Sequence, residues 1–159
     1  MHNLAGQTLR AETWMPKEVL VCRIHGQEFC VDVGSVKEIR GWAPTALLPH
    51  SPAYLRGIIN LRGTVLPIVD MAARLDFPAV IPSPQSAVIV VLIGKKQVGL
   101  LVDAVCDIIE VTADALEATP QLACDTVQNL VVTLINSDDR LIGLLDLDRL
   151  LPEIDAGDA

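Results

Sequence analysis

The stretch that decides the fold is Tyr54-Leu-Arg-Gly-Ile-Ile-Asn-Leu-Arg-Gly-Thr-Val-Leu-Pro-Ile-Val-Asp70. It contains two apolar segments joined at Arg62-Gly63, and a glycine at that place is typical of a tight hairpin turn. In an extended strand, alternate side chains share a face, so Ile59 and Leu61 lie on one face and Asn60 and Arg62 on the other. The stretch therefore predicts a β-hairpin that carries an arginine at its tip.

The chain contains two copies of one β-pattern. In each copy an apolar hairpin with a polar turn is followed by a third strand and, later, by a second hairpin. Any two apolar hairpins align loosely, and this explanation stays open, but gapless agreement within both blocks favours two related β-units. The aligned segments are 19–33 with 88–102, 36–39 with 105–108, 58–60 with 134–136, and 65–70 with 141–146.

Arg62 differs between the two copies. The repeat places an aspartate, Asp138, opposite it, so the turn by itself does not demand an arginine. Glu38 borders the same edge and is the natural partner of this cation. Arg62 is therefore a candidate binding or ion-pairing residue, and a solvated hairpin arginine is the alternative.

The composition limits the class of protein. Of the 159 residues 51% are apolar but only 3% are aromatic, so the core consists mainly of aliphatic side chains, many of them β-branched and suited to strands. The net charge of −8 argues against binding of nucleic acid or of an anionic membrane surface. The longest wholly apolar run, Ala87 to Ile93, is far shorter than the roughly 20 residues that span a bilayer. We therefore expect a cytoplasmic protein without direct membrane insertion.

Several strands are apolar on consecutive residues, as in Val88 to Ile93. A strand with one wet face alternates instead, so both faces of these strands should be covered. Two small barrels packed through a shared apolar seam would explain this, and the expected class is mainly β with short helices, one of them a capped turn at Thr112–Glu117. The expected segments are a leader at 1–17, a domain at 18–151 with barrels at about 18–77 and 87–151 and a proline-containing linker at 78–86, and a frayed tail at 152–159.

Candidate catalytic residues lack a catalytic arrangement. No histidine has a second ligand or an acid at useful spacing, and the four cysteines include no Cys-x-x-Cys pair, so neither a catalytic residue nor a metal or other cofactor is expected. Asp70 ends a strand before a helix-like segment, where an N-cap aspartate belongs and where a receiver domain places its phosphoacceptor. A small acidic enzyme that uses Asp70, Asp103 and Asp107 is the alternative from another class.

The decisive hairpin and the strands around it resemble the CheW family of chemotaxis adaptors. The resemblance covers residues 18 to 151, and its most specific part is Gly57-Ile-Ile-Asn-Leu-Arg-Gly63 with the following strand. It implies two SH3-like five-stranded β-barrels packed together. It also implies a non-enzymatic adaptor that couples chemoreceptors to the histidine kinase CheA and is recruited to membrane-associated receptor arrays. A CheW-like scaffold of a pilus-linked or other chemosensory pathway is the alternative.

The resemblance further implies two binding surfaces. In the family the cytoplasmic hairpin tip of the chemoreceptor lies in an apolar groove between the barrels, and the regulatory domain of CheA binds exposed ends of the barrels. Gly57 marks the implied kinase surface. The implied receptor surface consists of Val36, Glu38, Ile39, Arg62, Val105 and Ile108.

Overall fold

The computed structural model describes residues 16–45, 52–112, 115–117 and 125–150. The predicted tail lies outside these residues, as does the predicted leader up to residue 15. The described residues form eleven strands: β1 (Glu18–Ile24), β2 (Gln27–Asp32), β3 (Val36–Gly41), β4 (Leu55–Leu61), β5 (Thr64–Asp70), β6 (Ala87–Ile93), β7 (Lys96–Val102), β8 (Ala104–Glu110), β9 (Leu116–Glu117), β10 (Val131–Ser137) and β11 (Arg140–Leu145).

Short helical segments connect the strands. None of the helices in the described part of the chain has the length and apolarity that a membrane crossing requires. The helical turn expected at Thr112–Glu117 is confirmed only in part: the Ala115 amide donates to the Thr112 carbonyl at 3.0 Å, but Leu116 and Glu117 form β9 and pair with β10. The helical segments are a 3-10 turn (Val33–Ser35), α1 (Met71–Arg74), α2 (Asp125–Leu130) and α3 (Leu147–Leu150).

The strands form two sheets. The sheet that we call the central barrel has the order β3-β6-β7-β5-β4, all from the middle of the chain. The sheet that we call the terminal barrel has the order β8-β1-β2-β11-β10-β9 and combines strands from both ends. The expected all-β fold is confirmed, with β9 as a two-residue addition to the terminal barrel.

The division into one barrel at 18–77 and another at 87–151 is wrong in one respect, because the two halves exchange their first hairpins. The hairpin β1–β2 joins β8, β10 and β11 of the second half, and β6–β7 joins β3, β4 and β5 of the first half. Each of these hairpins is apolar on both faces. A hairpin of this kind must lie between two layers, so the chain that leaves it crosses into the other barrel.

The repeat itself extends to the hydrogen-bond register. The parallel pair Ile68 with Gly99 in the central barrel corresponds to Leu144 with Cys30 in the terminal barrel. The register shift between Leu55 and Gly57 likewise corresponds to the shift between Val131 and Thr133. The two barrels are therefore copies of one structure, which favours the related units over a chance alignment.

The exchanged hairpin β1–β2 contributes to two cores at once. Val19 and Val21 point into the terminal barrel, where they pack with Ile135 and Ile142. Their neighbours in the strand belong to a larger cluster that includes the interior of the central barrel. The residues of β1 and β2 in this shared core are Leu20, Cys22, Ile24, Phe29 and Val31.

An ion pair links the second-half hairpin to neighbouring strands of the terminal barrel. Arg140 donates from Nε to Glu28 Oε1 at 3.0 Å and from Nη2 to Glu28 Oε2 at 2.6 Å. The same guanidinium contacts Asp107 Oδ1 at 3.5 Å. The hydrogen bond from Arg140 lowers the pKa of Glu28 below its usual value. The sequence analysis did not predict an ion pair for Arg140, although Arg140 lies in the same hairpin as Asp138, the counterpart of Arg62.

We predict that Gly99→Ala destabilises the fold. A Cβ at this position would lie 2.6 Å from Ile68 Cδ1 and 2.7 Å from Val88 Cγ1, inside a core without room to relax. Overpacking of this kind costs about 1–3 kcal/mol in the free energy of unfolding. Gly41→Ala is the control, since a Cβ there meets nothing within 4 Å. Chemical denaturation of both variants provides the measurement, and equal stabilities would contradict the packing described here.

We also predict a pH-dependent effect of Glu28→Gln. Because the folded-state pKa of Glu28 lies below the ordinary value of 4.5, its ion pair stabilises the protein above that pH and is lost as the pH falls through the folded pKa. The variant should be less stable by about 0.5–1 kcal/mol at pH 7. The difference should shrink steadily below pH 4.5. Glutamine suits the position, because the equivalent residue of the other half is Gln97; a difference that persisted at pH 3 would show that the charge is not responsible.

Candidate functional site

Arg62 occupies a backbone conformation that arginine disfavours. Its φ is 52° and that of Gly63 is 85°, so both central residues of the turn are left-handed. Asn60 supports the turn by accepting a hydrogen bond from the Gly63 amide at 2.9 Å. A residue with a Cβ in this conformation costs roughly 1–2 kcal/mol. The equivalent Asp138 has a φ of 51°, so the turn forms without arginine and the reason for Arg62 lies in its side chain.

The Arg62 side chain is held by Glu38 on β3, as predicted. Arg62 Nη2 donates to Glu38 Oε1 at 2.7 Å, and Arg40 Nη1 donates to the other carboxylate oxygen at 3.4 Å. The hydrogen bond from Arg62 lowers the pKa of Glu38 below its usual value. One carboxylate thus contacts two arginines. We call Glu38, Arg40 and Arg62 the charged rim. Since the Arg62 side chain remains 72% exposed, the rim offers a fixed cation to a partner.

The apolar residues of the predicted receptor surface occupy equivalent positions in the two barrels. Val36 on β3 and Val105 on β8 are half-buried, and both pack against the shared core. Ile39 and Ile108 lie three residues further along the same strands and are 47% and 55% exposed. In the structure, Glu38 and Arg62 are therefore in direct contact. The four apolar residues lie at equivalent positions of the two barrels.

Gly57 has a structural role at the base of the hairpin. It is buried, has a φ of 147°, and lies at the register shift opposite Ile68. The equivalent bulge in β10 carries Thr133, which lacks the positive φ of Gly57, so the two bulges differ in backbone conformation. Because Gly57 is buried, it can affect a partner only through its neighbours; its assignment to a kinase surface stays a prediction.

The three candidate catalytic aspartates lie on separate elements and each has a structural partner. Asp70 is the N-cap of α1, accepting from the Ala73 amide at 3.1 Å, which confirms that prediction. Asp103 accepts from the His25 amide at 2.8 Å, and Asp107 pairs with Arg140. Each of these carboxylates is therefore engaged in a contact that the fold itself makes.

Sequence reasoning missed a second arginine network, at the opposite end of the β4–β5 hairpin from Arg62. Arg56 contacts the buried Asp70 carboxylate at 3.4 Å and donates to the Val80 carbonyl at 2.8 Å. Its guanidinium also lies 5.5 Å from the centre of the Trp42 ring, a cation–π contact. The only signal in the sequence was a lone arginine at the start of an apolar strand, which is too weak to reveal such a network.

A cavity beside Trp42 lies next to the charged rim. Its volume is about 400 Å³. Arg40 and Asn60 line it together with apolar residues such as Ile58 and Val88. Trp42 therefore serves partly as a wall of this cavity and partly as the platform for Arg56.

Comparison with known proteins agrees with the fold and with the family that the sequence resembles. The CheW-like domain family matches residues 18–155. A probable chemotaxis protein CheW of Rhizobium etli is 45% identical over 140 residues, which are 88% of this chain and 90% of that protein. A chemotaxis protein CheW of Rhizobium meliloti is 43% identical over 136 residues, covering 86% and 88%.

A solved structure of a related protein has the same fold. The crystal structure of the scaffolding protein TtCheW from Thermoanaerobacter tengcongensis superimposes with a TM-score of 0.77 at 30% identity, covering 86% of this chain and 88% of that one. The match spans both barrels. The chain therefore belongs to the CheW-like domain family of chemotaxis adaptors.

Proposed function

We propose that this protein is a non-enzymatic adaptor that couples chemoreceptors to the histidine kinase CheA. The observation that carries the proposal is the fixed, exposed Arg62 in a turn that disfavours it. A strained residue persists where its surroundings hold it in place, and such residues concentrate at functional sites. Glu38 supplies that support here, and the exposed guanidinium faces solvent where a partner can reach it.

The receptor surface combines this charged rim with apolar side chains. Val36, Ile39, Val105 and Ile108 provide aliphatic contacts at equivalent places in the two barrels. A helical hairpin tip docks well on such a surface, because apolar anchors provide affinity while charges at the edge provide specificity. The receptor tip would thereby contact both barrels at once.

The kinase would bind a different part of the molecule, through its regulatory domain. An adaptor that links two partners needs two surfaces that can be occupied together. We assign the kinase to the base of the β4–β5 hairpin, near Gly57, because Arg62 lies at the tip of the same hairpin, at its opposite end. Recruitment from the cytoplasm to receptor arrays at the membrane would follow from these two contacts, with no catalytic step.

The decisive experiment is an NMR titration of the ¹⁵N-labelled protein with a chemoreceptor hairpin fragment and then with the CheA regulatory domain. We expect shifts near the charged rim with the receptor fragment and elsewhere with the kinase domain. If neither partner from the flagellar pathway of the same cell caused shifts, the proposal would fail for that pathway. The partners of a pilus-linked or other chemosensory pathway would then be titrated.

We predict that Arg62→Asn separates binding from stability. Asparagine tolerates the left-handed conformation better than arginine, so the melting temperature should stay the same or rise slightly. Binding of the receptor fragment, measured by calorimetry, should weaken about tenfold. The matched control is Asp138→Asn, at the equivalent turn with the same backbone conformation. Unfolding of Arg62→Asn, or unchanged binding, would identify Arg62 as a structural or merely solvated residue.

We also predict that Val36→Thr and Val105→Thr weaken receptor binding more than kinase binding. Threonine has nearly the shape of valine but buries a hydroxyl group, which is unfavourable at an apolar contact. Each variant should be tested with both partners at the same temperature and ionic strength. Equal losses for the two partners would remove these valines from the receptor surface.

A further inference from the structure

The linker between β5 and β6 presents an uncharged exposed surface on a strongly acidic protein. Residues 77–87 contain no charged side chain, although one residue in five of the chain is charged. We call residues 78–85 the linker strip; all of them except Val80 are exposed. Ile81 is 86% exposed, more than any other large apolar side chain among the described residues. Such a side chain loses water contacts only when a partner covers it.

The backbone next to Ile81 is held by two opposite charges. The Val80 amide donates to Asp70 Oδ2 at 3.0 Å, and the Val80 carbonyl accepts from Arg56 Nη2 at 2.8 Å. Both polar groups of one peptide residue are therefore tied to an ion pair whose carboxylate is buried. The Val80 side chain is buried in the shared core, and Ile81 consequently points outward at a fixed place.

The fold alone does not require this arrangement. In the second half, the positions equivalent to Arg56 and Asp70 are Val132 and Asp146. Asp146 is partly exposed and pairs with its neighbour Arg149 at 3.3 Å while accepting from the Asp148 amide. The central barrel thus has a buried ion pair where its copy has a surface one, and the difference coincides with the linker strip.

The linker strip also loses little conformational freedom on binding. Pro78, Pro82 and Pro84 restrict its backbone. At its end, Ser83 accepts from the Ser86 amide at 3.0 Å and closes a turn. A segment fixed before binding contributes more of its apolar contact to affinity, since less ordering is needed.

We propose that the linker strip, with Ile81 as its anchor, is the surface that binds the kinase regulatory domain, through an uncharged apolar pocket on that domain. This inference rests on the function proposed above. It follows from position: Arg56, which holds the strip through the Val80 carbonyl, lies six residues before Arg62, and six extended residues span about 20 Å. The anchor of the strip and the exposed cation Arg62 therefore lie toward opposite ends of the hairpin and leave room for two partners. It also explains how the buried Gly57 can affect kinase binding, because its neighbour Arg56 positions the strip.

The test uses Ile81→Ser, with Ile39→Ser as the reciprocal variant and Ile81→Met as a conservative one. Both isoleucines are exposed, so neither serine variant should change the melting temperature appreciably. Calorimetry with the intact chain would measure binding of the CheA regulatory domain and of the receptor hairpin fragment. We expect Ile81→Ser to weaken kinase binding at least tenfold and leave receptor binding unchanged. Ile39→Ser should do the reverse, and Ile81→Met should bind both partners.

The outcomes distinguish this inference from the function on which it rests. If the unaltered protein binds both partners and Ile81→Ser binds the kinase domain equally well, the linker strip is not the kinase surface while the adaptor function stands. If the unaltered protein binds neither partner, both proposals fail. Sedimentation measurements give a third outcome: loss of self-association in Ile81→Ser without loss of kinase binding would assign the strip to a contact between copies of this chain and overturn the inference.

Discussion

The hairpins β1–β2 and β6–β7 are buried on both faces, and the rest of the structure depends on this double burial. Because each half of the chain contributes its hairpin to the barrel of the other half, neither barrel can complete its sheet alone. The shared core fixes β3 and β8 relative to one another, since Val36 and Val105 both pack against it. A surface that uses both strands therefore has a constant geometry. This constancy suits an adaptor, whose partners must meet in a defined arrangement.

The sequence predicted the strands, the repeat and the double burial, but not the exchange of hairpins. Apolar runs such as Val88 to Ile93 indicate that both faces are covered, and the aligned halves indicate which strands are equivalent. Equivalence cannot distinguish pairing within one half from pairing between halves, because β1 and β6 have nearly the same apolar pattern. That choice depends on the path of the chain after the hairpin, where a three-residue 3-10 turn sends β3 into the other sheet.

The candidate site was predictable where a local motif carried it. Arg62 stood out because its counterpart is Asp138, and the contact with Glu38 followed from the expected position of β3 at the same edge. The network of Arg56, Asp70 and Val80 could not be predicted in this way. Its members come from a strand start, a strand end and a linker, and only the folded chain brings them together.

The β4–β5 hairpin carries an arginine at each end, and their surroundings give them different tasks. At the base, Arg56 pairs with the buried Asp70 carboxylate, and removing Arg56 would leave that buried charge without its cation, so this pair serves the structure. At the tip, Arg62 pairs with Glu38 in contact with solvent, where an ion pair adds little to stability but can orient a cation. The base can therefore hold the linker strip rigidly, while at the tip Glu38 orients an exposed cation. One hairpin thus carries a structural charge at one end and the proposed binding charge at the other.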